Sequence, residues 1–181
     1  KKQFLMIFKK TKIDGVMLIE AEPFIDERGA FRRHFCKDEF AKNNIVTDVS
    51  QCNVSENKFA HTLRGFHYQL EPFSEGKTLS CLNGRIFDIV VDLRKESKTY
   101  MDWIGLELSK ENRKSIHIAP GCANAFLTLE DNSLIHYYCS QSYNPTSERG
   151  IRFNDPAFGF EWPETPKIIS EKDLGHPDFI K

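Results

Sequence analysis

Asn83-Gly84-Arg85-Ile86-Phe87-Asp88-Ile89-Val90-Val91-Asp92-Leu93-Arg94 is the stretch that sets the fold class. Its β-branched and aromatic residues read as a strand over 85–94. The Asn-Gly pair ahead of it tolerates the positive φ that a tight hairpin needs. Short runs alternating apolar with polar residues recur at 16–22, 30–36, 45–53, 62–69, 103–109, 115–118, 124–129 and 134–140, each with the period of a half-buried strand. Turn signals separate them at 26–29, 55–58, 83–84, 120–121, 131–132 and 144–145. Met6-Ile7-Phe8 reads as the first strand. Helical patterning is poor: 38–43 gives one short helix with Asp38 as its N-cap, and 109–114 a single turn. Closely spaced strands without crossover helices predict an all-β antiparallel sandwich or barrel, in one domain over 1–181. After Trp162 the composition shifts to proline and charge, so 163–181 reads as a loose end or as a lid strapped over the barrel mouth.

Composition narrows the function classes. A chain of 181 residues can bury one sizeable core. Lys plus Arg number 25 against 26 Asp plus Glu, a net charge of -1, so no global field recruits nucleic acid or an acidic membrane. The apolar run 86–91, interrupted by Asp88, falls far short of a membrane span. No basic-then-apolar leader is present, and residues 1–5 read as a tag remnant before a natural start at Met6, which together predict a cytoplasmic protein. Cys36, Cys52, Cys81, Cys122 and Cys139 are odd in number, widely spaced and without a CxxC pair. They read as half-buried thiols in a reducing compartment. Asn53-Val54-Ser55 matches the glycosylation triplet, a chance match without an export signal.

No GxGxxG or GxxxxGK[ST] signals a dinucleotide or phosphate-loop cofactor, and no HxH, HExxH or DxDxDG signals a metal. The densest chemistry lies in Leu63-Arg64-Gly65-Phe66-His67-Tyr68-Gln69, followed by Gly76-Lys77 in what reads as a loop. A lone strand histidine is more often structural than catalytic. Here Arg64 lies three residues ahead, Gly65 permits close backbone approach, and Lys77 follows. Tyr137, Tyr138 and Tyr143 offer phenols as acids. One base and two fixed cations suit removal of a proton beside a carbonyl and stabilisation of the enolate.

Several segments in order resemble the dTDP-4-dehydrorhamnose 3,5-epimerase family. They are Glu22-Pro23-Phe24-Ile25-Asp26-Glu27-Arg28-Gly29, Gln51-Cys52-Asn53-Val54-Ser55, the Leu63 to Gln69 segment with Gly76-Lys77, and Phe87 to Arg94. Pro120-Gly121-Cys122-Ala123-Asn124, Glu148-Arg149-Gly150-Ile151, Asn154-Asp155-Pro156 and Glu161-Trp162-Pro163 follow at matching spacing. The resemblance implies a cupin-type jelly roll (a double-stranded β-helix) that forms a homodimer and uses no metal or organic cofactor. It implies epimerisation of a nucleotide-diphosphate-linked 4-keto-6-deoxyhexose at carbons flanking the ketone. On it, His67 falls on the general base, Asp173 on the carboxylate that orients it, Tyr137 on the opposing acid, and Lys77 on the cation near the keto oxygen. Arg28, Gln51, Asn53, Arg64, Tyr143, Glu148 and Lys172 fall among the substrate-binding positions, some of which in the family reach across the dimer.

Two positions depart from the family pattern. Asn124 stands where the family has histidine in Pro-Gly-Phe-Ala-His-Gly, and Arg33 stands where it has glutamate. Both are expected to touch substrate, and neither belongs to the proton-transfer set. Two other readings compete: a 3,4-ketoisomerase on the same barrel, which moves the carbonyl, and a sugar-binding cupin without turnover. Tyr137 opposite His67 favours epimerisation, because an isomerase can return its proton on one face.

Overall fold

The computed structural model describes residues 5–181. Its strands are β1 (Met6–Lys10), β2 (Met17–Ala21), β3 (Phe24–Asp26), β4 (Gly29–Phe31), β5 (Gln51–Asn57), β6 (Thr62–Gln69) and β7 (Lys77–Asn83). They continue with β8 (Arg85–Asp92), β9 (Trp103–Ser109), β10 (Lys114–Ile118), β11 (Cys122–Thr128), β12 (Ser133–Cys139), β13 (Glu148–Gly150) and β14 (Ile168–Ile169). Two short helices, α1 (Lys37–Lys42) and α2 (Glu171–Leu174), complete the described elements. One sheet has the order β1-β2-β10-β7-β12-β5 and the other β13-β6-β11-β8-β9, with β14 added in parallel beside β6. From β5 to β8 each successive strand changes sheet, and so it does from β9 to β13. This winding is that of a cupin jelly roll.

The alternation of β8 shows why the sheets pack as they do. Ile86 and Val90 point between the sheets, where they meet Leu79, Ile116, Phe126 and Ile135. Ile89 and Val91 point outward, beneath Phe66, Phe160, Trp162 and Phe179. A strand covered on both faces reads as a continuous apolar run. The outer face of the other sheet carries Met17, Ile19 and Tyr138 under Phe40 of α1.

Several expectations need correction. Asn83-Gly84 is no hairpin turn: it joins β7 to β8, which lie in different sheets, and β8 pairs instead with β9 and β11. Gly84 has φ 73°, and a Cβ there would strike Ser133. The strand expected at 45–53 starts at Gln51 and runs through the supposed turn at 55–58 as far as Asn57. As an edge strand, half solvated, β5 carries turn-like polar residues without breaking its ladder. Lys77 opens β7 instead of lying in a loop, and the expected strand at 30–36 stops at Phe31. Helix α1 begins at Lys37 with Cys36 as N-cap, so Asp38 lies in its first turn; 109–114 joins β9 to β10 as a turn and no helix.

The chain after Trp162 is pinned in place. Ile168 and Ile169 pair with Thr62 and Leu63, the Ser170 side chain caps α2, and the Phe179 N–H donates to Asp155 at 2.8 Å. The expected tag remnant falls mostly on residues 1–4, which lie outside the described residues.

Candidate active site

Strict alternation along β6 would send Arg64 and His67 to opposite faces, because they are an odd number apart. The β6–β11 register breaks between them: Asn124 opposes His67 and Ala125 opposes Gly65, leaving Phe66 unmatched. This bulge turns Phe66 outward onto Phe160, 4.4 Å between ring centroids, and lets Arg64 and His67 line one cavity. Gly65 makes the arrangement feasible. Its φ is +109°, and a Cβ there would lie 2.6 Å from the Asn124 carbonyl oxygen and 2.8 Å from Ala125 Cα.

His67 Nε2 lies 2.7 Å from Asp173 Oδ1. Asp173 Oδ2 accepts the Gly65 N–H at 3.2 Å, and the Asp173 N–H donates to Ser170 Oγ at 3.1 Å. Burial works against ionisation of Asp173. The hydrogen bond and charge of His67, with the bonds from Gly65 and Ser170, outweigh it and hold the carboxyl below its ordinary range. An ionised carboxylate only accepts, so Nε2 carries the proton and Nδ1 is the basic nitrogen.

Tyr137 comes from β12, in the opposite sheet, and lines the same cavity of about 630 Å³ as His67. Burial raises its phenol pKa, with Lys77 opposing, so the hydroxyl keeps its proton. Lys77 Nζ sits 5.8 Å from the Tyr137 ring centroid and 3.5 Å from both Glu75 Oε1 and Asn124 Oδ1. Arg64 is steadied by Asn57, whose Oδ1 accepts from Nε at 2.8 Å. A neighbouring cavity of about 380 Å³ shares His67, Lys77 and Tyr137 and adds Gln51, Asn53, Tyr143 and Glu148. Glu148 Oε2 accepts from Tyr143 Oη at 2.8 Å and from Lys172 Nζ at 2.6 Å, bridging the tail to the barrel.

The fold thus brings together His67, Asp173, Tyr137, Lys77, Arg64, Asn124 and Lys172, with Gln51, Asn53, Tyr143 and Glu148 next door. Arg28 and Arg33 line neither cavity. Arg28 pairs with Asp26 in the β3–β4 hairpin, which joins no other strand among the described residues, and Arg33 pairs with Glu39 of α1 at 3.0 Å. Sequence reasoning missed Glu75 and Asp88. Asp88 is fully buried, and its Oδ1 accepts from Asn124 Nδ2 at 2.9 Å. The available signal was its interruption of the apolar run 86–91. Among the described residues, no group of three or more His, Cys, Asp or Glu is arranged to hold a metal ion.

The sequence and the fold have known counterparts. The sequence model of the family described as dTDP-4-dehydrorhamnose 3,5-epimerase matches residues 10–181. A protein of that name from Methanothermobacter thermautotrophicus is 41% identical over 92% of this chain and 90% of its own. The crystal structure of the Bacillus anthracis dTDP-4-dehydrorhamnose 3,5-epimerase, with TDP and pyrophosphate bound, superposes with a TM-score of 0.93 at 31% identity, covering 97% of this chain and 100% of that one. A Legionella pneumophila 3,5-epimerase in complex with dTDP-4-keto-L-rhamnose gives a TM-score of 0.89 at 34% identity, over 95% of this chain and 92% of that one. With a matching family model, a matching fold and near-complete coverage, the chain belongs to the dTDP-4-dehydrorhamnose 3,5-epimerase family, a family of isomerases.

Proposed function

We propose that this chain epimerises a dTDP-linked 4-keto-6-deoxyhexose with His67 as base, Tyr137 as acid and Lys77 as the cation at the keto oxygen. The observation that carries the reading is that His67 and Tyr137 stand on opposite sheets and border one cavity, with Lys77 close to the phenol ring. A sugar ring between them presents one face to a base and the other to a proton donor.

The energetics require all three. An imidazole is a weak base towards carbon, and each unit of pKa mismatch costs ~1.36 kcal/mol. Charge developing on the keto oxygen must be met by a group already in place, and an ammonium in a water-poor cavity does this without reorganisation. Asp173 fixes the imidazole tautomer before abstraction and stabilises the imidazolium after it. Tyr137 then delivers its proton to the opposite face of the enolate, inverting the carbon. Electrons are neither gained nor lost, so the residues suffice without a cofactor.

Gln51, Asn53, Tyr143 and Glu148 border the second cavity, which suits the nucleotide diphosphate, and Lys172, which lines the first, meets it through its ion pair with Glu148. Arg28 serves the site of a second copy in a homodimer. In support, its hairpin pairs with no other strand among the described residues and exposes Ile25 at 62%, and edge strand β5 exposes Val54. The tail 163–181 closes the site of a single domain, since it supplies Asp173. A cytoplasmic location fits the reaction's place in making activated sugars, and no helix among the described residues is long and apolar enough to cross a membrane.

The test is incubation with dTDP-, GDP- and CDP-linked 4-keto-6-deoxy sugars in deuterium oxide, followed by NMR. Solvent exchange with inversion at the carbons beside the ketone is expected, with dTDP preferred. Migration of the carbonyl would establish a ketoisomerase, and an absence of exchange with every sugar a binding protein.

A further inference from the structure

A carboxyl group occupies a place in β8 where the inward pattern calls for an apolar side chain. Ile86 and Val90 flank it along the same face, and Asp88 is fully buried between the sheets. Burial pushes its pKa up to about 7, against the opposing influence of the Asn124 bond and the Lys77 charge. Asp88 Oδ1 is met by Asn124 Nδ2 at 2.9 Å, and Oδ2 finds no hydrogen-bond partner among the described residues. A valine would cost the core less, because a buried carboxyl with an unmet oxygen is destabilising.

The other end of the same amide explains what the carboxyl does. Asn124 Oδ1 faces Lys77 Nζ at 3.5 Å, and Glu75 Oε1 holds the same ammonium at 3.5 Å from another side. An ammonium offers only donors and a carboxylate only acceptors, whereas an amide has one end of each kind. Between Lys77 and an ionised Asp88, one orientation of Asn124 makes both contacts attractive and the flipped orientation makes both repulsive. Asp88 therefore decides which end of Asn124 the cavity sees.

We propose that Asp88 is a positioning residue for the reaction: through the Asn124 amide it keeps the Lys77 ammonium at the keto oxygen and away from Glu75. The inference rests on the role given to Lys77 above. Without a fixed amide oxygen, Glu75 is the acceptor left to Lys77, and it draws the ammonium off the place where charge develops. Misplacement of a group that acts mainly on the transition state lowers kcat more than it changes KM.

The test compares Asp88→Val with Asp88→Asn in steady-state kinetics on the dTDP-4-keto sugar. The asparagine variant still offers an oxygen to Asn124 Nδ2 and should keep kcat within about threefold of the parent. The valine variant should lose roughly tenfold to a hundredfold in kcat, with KM moving far less. A parental kcat in Asp88→Val would overturn the proposal. So would an Asp88→Asn variant as slow as Asp88→Val, because charge and not amide orientation would then matter. If Asp88→Val does not fold, Asn124→Ala breaks the same link from the cavity side; it should show the same loss in kcat, and a parental kcat there overturns the proposal equally. NMR of the Asn124 side-chain amide separates this inference from the assigned activity. Slow solvent exchange in the parent and in Asp88→Asn, made fast in Asp88→Ala, supports the positioning role even if every sugar proves inert. Unchanged exchange in Asp88→Ala would end it.

Discussion

His67 and Asp173 touch at 2.7 Å although 106 positions separate them in the chain. The carboxylate reaches the imidazole because β14 pairs with the start of β6 and the Ser170 side chain caps the turn of α2 that carries Asp173. The tail is therefore half of the proposed proton-transfer pair. Its attachment through Phe179 to the outer aromatic cluster sets how firmly the pair is held.

Replacing Asp173 by asparagine should preserve the fold and lower kcat by about 10²- to 10⁴-fold, the range for losing a general-base assembly. The side-chain amide can present its nitrogen to His67 and select the wrong tautomer. Deuterium exchange kinetics measure the loss, and a variant with parental rates would remove Asp173 from the mechanism.

Tyr137→Phe should uncouple exchange from inversion. Deuterium should still enter on the His67 face, while formation of the inverted sugar drops by about 10²-fold or more for want of the opposing donor. Full inversion by this variant, followed by NMR, would assign the acid elsewhere.

Gly65→Ala tests the bulge. With φ at +109° and backbone of β11 within 3 Å of any Cβ, strain and clash together should cost about 1–3 kcal/mol or more. A loss of that size lowers Tm by several degrees, on the order of 2–4 °C per kcal/mol for a chain of this length. Calorimetry that finds an unchanged Tm would mean β6 and β11 separate more easily than this packing allows.

Stability should rise with pH between about 4 and 6.5. Burial lowers the pKa of both His34 and His117 to about 4, with His136 and Arg32 adding to the effect at His34. In that window the unfolded chain binds protons that the folded chain does not, so each upward step in pH favours folding. Asp88, raised to about 7, acts in the opposite sense across the whole of this window, but it is one group against two. Tm measured from pH 4.5 to 6.5 should climb, and His117→Gln should flatten the climb. A Tm independent of pH in both proteins would refute the assignment of neutral buried histidines.

The strands 62–69 and 103–109 were legible in the sequence to the residue, because alternating burial on two sheet faces writes a period of two into the chain. Edge strand β5 and central strand β7 were not. Buried Thr78 and Ser80 keep company with His117 and Ser115 through hydrogen bonds that a linear pattern does not display. Arg28 lines neither cavity for a related reason: its motif is local, and its guanidinium pairs with Asp26 inside the same hairpin.

Residue types and their order determined that this is a β protein of a recognisable family, with a base, an acid and a cation available, since those follow from local propensity and motif spacing. Which of them meet was settled only in three dimensions. Winding between sheets sets Tyr137 across from His67, a one-residue bulge aligns Arg64 with His67, and the returning tail delivers Asp173. Side chains become neighbours through strand register and packing, and neither is a property of any short stretch of chain.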